Sequence, residues 1–173
     1  MKTSRYWILL AGLVLARGLS AAPSPAAASR VEVVFDHPEK FRDVRDSFNP
    51  TDRGRDSILE NIRHALIAAG KYYVPEGYNL KIVFTDIKLA GDYEPWHGPD
   101  FDDIRIVKAI YPPSFTFTYT VSDPSGHIIK QGSENFTDMN FQMRLVLDSG
   151  DSLRYEKDIL RDWMSSTLRD LRR

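Results

Sequence analysis

The sequence predicts an α+β fold: a mixed, twisted sheet of four to five strands in the order β-α-β-β-β-β-α, with two amphipathic helices on one face. Three observations predict it. Residues 79–91, NLKIVFTDIKLAG, are dense in β-branched and aromatic side chains and alternate with a period of two. Phe115, Phe117, Tyr119 and Val121 alternate with Thr116, Thr118 and Thr120, which is a strand with its aromatics inward and its hydroxyls outward. Two other stretches repeat their apolar residues every three to four positions, the spacing of one helix face.

The first residues do not belong to that domain. Lys2 and Arg5 precede an apolar run over 6–16, and small residues with prolines follow, SAAPSPAAAS. The order basic, apolar, small is that of a secretory signal peptide, with an A-x-A site at Ala26 and Ala28 and cleavage near Ala21 or Ala22 as the rival. Residues 1–28 are therefore expected to be removed on export, leaving residues 29–173 as one α+β domain. The run is too short to span a bilayer, and no later run is apolar enough to hold the mature protein in a membrane. A periplasmic or secreted location is expected.

Residues 1–28 carry Lys2, Arg5 and Arg17 and no acid, so the mature chain has 20 basic and 24 acidic residues and a formal charge of −4. A mildly acidic domain lacks the basic surface that sequence-independent nucleic-acid binding requires. There is no cysteine, which excludes disulfides, thiolate catalysis and Cys-ligated metals.

Taken in order, Val31, Val33 and Phe35 alternate in a first strand that His37-Pro38 ends. Residues 36–55 are charged and without period, which reads as a long ordered loop with one turn of helix. Ile58, Ile62, Ala65, Leu66 and Ala69 then share one helix face, with Asp56 or Ser57 as the cap. Val74-Pro75-Glu76-Gly77 turns the chain into the strand at 79–91. There Leu80, Ile82 and Phe84 alternate inward until the parity flips at Asp86, because Ile87 and Leu89 are the next apolar positions. An unpaired buried carboxylate costs several kcal/mol, so the strand is expected to bulge or end at Asp86.

A loop over 91–103 separates this strand from a third at 104–111. Pro112-Pro113 interrupts before the threonine-rich strand, and Asp123-Pro124-Ser125-Gly126 is a turn joining it to a last strand over 127–137. Residues 138–150 connect to a closing helix over 152–171. Leu153, Leu160, Trp163, Met164, Thr167, Leu168 and Leu171 share its apolar face, with Ile159 at the edge.

Several of these segments together resemble a known family: VEVVFDHPEKFRDV, LKIVFTDIKLAG, DIRIVKAIYPPSFTFTYTVSDPSGHIIKQGSENFTDMNF and LRYEKDILRDWM. The chain is similar to the bacterial exported domain-of-unknown-function family 3016, whose marks are the Asp-Ile-x-Leu-Ala-Gly run at 86–91 and the closing Tyr-Glu-Lys at 155–157 with Asp162-Trp163. The resemblance implies export and a single domain. It carries no activity, substrate or catalytic residue.

The functional reading rests on the loop GDYEPWHGPDFDD. Tyr93, Trp96, His97 and Phe101 stand there among Asp92, Glu94, Asp100, Asp102 and Asp103. Exposed aromatics in a long loop suit the docking of another envelope protein or a glycan. The plainer alternative folds the aromatics back on the domain and leaves the acids solvated. The acids also admit a small hydrolase or a metal-dependent enzyme built around 86–103, although their spacing is not that of an EF-hand. His37, His64, His97 and His127 are scattered, and no serine stands in a nucleophile elbow. No cofactor is expected, and Asp86 and Arg105 are expected to form a structural cross-strand ion pair. The expected function is a non-catalytic binding domain of the bacterial envelope.

Overall fold

In the computed structural model of the protein, residues 30–98, 100, 103–145 and 150–172 are described; the expected signal peptide lies outside them. Strand β1 (Val31–Phe35) leads through helix α1 (Asp52–Tyr73) to β2 (Asn79–Lys88). Two short strands follow, β3 (Asp92–Tyr93) and β4 (Arg105–Ile106), then β5 (Ser114–Ser122), β6 (Ile128–Thr137) and helix α2 (Arg154–Thr167). β1, β2, β5 and β6 form one mixed sheet in that spatial order, with β1 parallel to β2 and the other pairs antiparallel. β3 and β4 pair antiparallel in a second, two-stranded sheet.

One face of the main sheet makes the core. Val31, Val33, Leu80, Ile82, Phe84, Phe115, Phe117 and Val121 are buried on it, and the stripes of both helices join the same cluster. Trp163 of α2 meets Phe117 and Tyr119 edge-on, with ring centroids 4.7 and 5.3 Å apart. Each fully buried aromatic of this kind contributes about 1.5–3 kcal/mol, so α2 is held chiefly by its apolar stripe. The opposite face, with Lys81, Thr85 and Thr118, is open to solvent.

The parity flip in β2 is a bulge. Phe84 pairs with Phe117 and Asp86 with Thr116, so Thr85 is the extra residue. The bulge leaves Phe84 in the core, turns Asp86 outward and returns Ile87 to the core. The strand therefore does not end at Asp86 but runs on to Lys88.

Two element expectations are corrected. The strand expected over 104–111 shrinks to Arg105–Ile106 and leaves the main sheet, because the Tyr111 N–H bonds back to the Lys108 carbonyl and closes a turn. Ile104 and Ile110, within that expected strand, are exposed. Helix α1 begins earlier than expected: Thr51 caps it instead of Asp56 or Ser57, its hydroxyl accepting the Gly54 N–H at 2.9 Å while Asp46 holds Thr51 in turn. Its first turn is all polar, so no periodicity announced it. Leu59, absent from the expected stripe, is buried there.

Candidate functional site

The segment after β2 is organised by alternation across β3. Tyr93 points to one side and the next residue, Glu94, to the other. Both are buried.

On the Glu94 side, the carboxylate accepts from Lys108 Nζ at 2.7 and 2.8 Å and from the Tyr111 hydroxyl at 2.9 Å, with His97 Nε2 at 2.8 Å. The Lys108 ammonium leads in pulling the Glu94 carboxyl down to about 2, and Glu94 in turn pushes the Tyr111 hydroxyl up. His97 thus braces a buried acid while its own side chain stays exposed. Trp96, in the 3-10 turn Pro95–His97, is 70% exposed.

On the other side lies a network of guanidinium and carboxylate groups. Arg105 donates to both oxygens of Asp43 at 2.9 Å and to the Gly91 carbonyl at 2.9 Å. Arg45 donates to Asp43 at 2.8 Å and to Asp92 at 2.6 Å. The two guanidinium carbons lie 4.7 and 5.5 Å from the centre of the Tyr93 ring, within cation–π range. Burial pushes the Asp43 carboxyl up, but the bonds and charges of Arg105 and Arg45 outweigh it and hold it below its ordinary value. Burial raises the Tyr93 hydroxyl. Gly91 sits at φ 82°, and a Cβ there would lie 2.7 Å from the Ile106 carbonyl oxygen, so only glycine lets β4 approach.

Asp86 and Arg105 therefore do not form the expected pair. Asp86 accepts the Arg42 backbone N–H at 2.8 Å and the Arg42 Nε, while Arg105 binds Asp43. Past the bulge Asp86 faces the outer side of the sheet, whereas Arg105 belongs to the small sheet. Of the four loop aromatics expected to dock a partner, Tyr93 is buried under two arginines, His97 is tied to Glu94, Trp96 is exposed, and Phe101 lies outside the described residues.

Beneath this network opens a cleft of about 460 Å³, walled by Arg45, Tyr93, Ile104, Arg105, Leu153 and Glu156. Glu156 is 1% exposed. Its Oε1 accepts the Ala90 N–H at 2.6 Å, and its Oε2 has no partner among the described residues. Burial raises the Glu156 carboxyl above its ordinary value, against the pull of the Ala90 N–H. With Oε1 serving as acceptor, protonation at Oε2 turns that oxygen into a hydrogen-bond donor. A broader groove of about 660 Å³ runs between β6 and α2, where Arg144 engages Asp138, Asp158 and Asp162.

Asp43, Arg45 and Glu156 were not among the sequence candidates. Asp43 and Arg45 stand in the unpatterned 36–55 segment. Glu156 carried a signal, because it falls three residues after Leu153 and four before Leu160, on the buried stripe of α2. Among the described residues no three His, Asp or Glu side chains gather to hold a metal ion.

A model of the family described as "Protein of unknown function (DUF3016)" matches residues 29–166. Comparison with curated proteins and with solved structures finds no match.

Proposed function

The chain belongs to the DUF3016 family of proteins of unknown function, and we propose that it is an exported, non-catalytic binding domain of the bacterial envelope that takes an oxygen-bearing group of another envelope component, protein or glycan, in the cleft at Glu156. The observation that carries this reading is the unpartnered Oε2 of a buried carboxyl on the cleft wall. A buried polar atom left without a hydrogen bond costs about 1–3 kcal/mol, which a ligand acceptor recovers. The rigid surround supports the reading too: Asp43, Arg45, Arg105 and Tyr93 brace one another and leave the cleft preformed. The basic, apolar and small segments of residues 1–28 support export.

Three of the acids first suspected of chemistry are committed elsewhere, while Asp103 lines the cleft. Asp86 holds Arg42, Asp92 holds Arg45, and Glu94 holds Lys108. A second reading, a small hydrolase, rests on Glu156 instead, since a carboxyl that burial raises on a cleft wall is the kind of group a general acid uses.

One set of variants tests both. Ile104 is half exposed on the cleft wall, so Ile104→Arg fills the cleft without disturbing the core. That variant is expected to lose a partner recovered from envelope extract, and Trp96→Ala to retain it, both with unchanged melting temperature. Retention by Ile104→Arg overturns the cleft as the site. Glu156→Gln keeps a donor and an acceptor and is expected to bind, whereas it would abolish general-acid turnover. Deletion of residues 1–28 is expected to leave the protein in the cytoplasm of a Gram-negative host.

A further inference from the structure

We propose that the chain forms a twofold dimer in which β6 pairs antiparallel with β6 of a second copy, joining two four-stranded sheets into one of eight strands. The two edges of the main sheet are unequal. β1, at one edge, has only five residues, whereas β6 presents ten, a span of about 33 Å at roughly 3.3 Å per residue. Among the described residues no strand pairs with the outer side of β6. Proteins blunt such edges with prolines, bulges or unmatched charges, because free N–H and C=O groups recruit further strands. β6 has no proline, and its one register shift lies at the start, opposite Val121 and Ser122. The strand is regular from Lys130 onward.

The charges say what the partner strand is. Lys130 and Glu134 are the only charged residues of β6, and they flank Gly132 symmetrically. In an antiparallel pair with Gly132 on the twofold axis, each Lys130 stands opposite the Glu134 of the other copy, and no other in-register pairing places them so. Both remain able to take part. Within its own chain Lys130 donates to the Thr167 carbonyl, leaving two of its three N–H groups, and Glu134 accepts from the Trp163 indole through Oε1, leaving Oε2. In the same register Gln131 faces Ser133, and the exposed Ile128 faces the half-buried Phe136. Gly132 suits the axis and has an internal reason as well: a Cβ there would meet the Tyr119 ring at 2.8 Å. The groove between β6 and α2, which Phe136 and Trp163 line, leaves the approach open on the helix side.

The absence of cysteine makes the register directly measurable. Gln131 and Ser133 are both exposed, so cysteine at either leaves the core intact. The unaltered protein is expected to sediment as a dimer. An oxidised mixture of Gln131→Cys and Ser133→Cys chains is expected to give a disulfide-linked pair containing one of each. Ser133→Cys mixed with Asn135→Cys is expected to give none above background. A monomer at all concentrations examined, or crosslinking that does not distinguish the two mixtures, overturns the proposal.

Discussion

Glu156 on α2 is hydrogen-bonded to the backbone of Ala90 at 2.6 Å, and that single bond ties the last helix to the end of the central strand. It also fixes which carboxyl oxygen is spent: Oε1 is taken by Ala90, and Oε2 is buried without a partner among the described residues, on a side chain that lines the cleft.

The bond has a pH signature. A carboxyl raised in the folded state above its ordinary 4.5 contributes stability that is fully present below that pH and is lost as pH rises through the folded value. Melting temperatures of the wild type are therefore expected to fall relative to Glu156→Gln as pH rises from 4.5. The slope is at most about 1.4 kcal/mol per pH unit for one proton. Parallel curves for the two proteins would show that Glu156 titrates in the ordinary range.

Glu94 carries the opposite sign. Its carboxyl is held down to about 2, so its contribution is present above 4.5 and is lost as pH falls from 4.5 toward 2. Glu94→Gln is expected to be less stable than wild type at neutral pH, with the gap closing across that acid window. A gap that stays constant to the lowest pH would contradict the Lys108–Glu94–Tyr111 arrangement.

Asp43 is the anchor of the network. Asp43→Ala leaves the guanidinium of Arg105 largely buried without its carboxylate, and the expected loss is about 3–5 kcal/mol in urea unfolding. Asp43→Ala with Arg105→Leu is expected to lose less than the two single changes summed. Strict additivity would mean that the pair is not coupled.

Gly91→Ala forces a side chain into positive φ and against the Ile106 carbonyl, and it is expected to cost about 1–3 kcal/mol. A neutral substitution would show that β4 does not pack there in solution.

What was legible in the sequence is what short-range periodicity writes. β5 and its hairpin partner β6, the inward run of β2 and both helix stripes follow from spacing alone. So does the flip at Asp86, because a bulge changes the parity of the residues themselves. The cleft was not legible. Its network joins the unpatterned 36–55 segment to β3 and β4, and ion pairs such as Asp43–Arg105 span 62 residues and leave no local trace. The run at 104–111 misled because its isoleucines alternate like a strand, yet Ile104 and Ile110 stay exposed. Glu156 alone gave a warning, as an acid on an apolar stripe.

The cleft as the binding site is tested most directly by placing a photoreactive residue at position 104 and, separately, at position 118 on the open sheet face, then irradiating living cells. An adduct with an envelope component is expected from position 104 and not from 118, and it is expected to disappear when Glu156 is replaced by Leu. An adduct from 118 without one from 104, or a position-104 adduct that survives Glu156→Leu, would contradict the assignment.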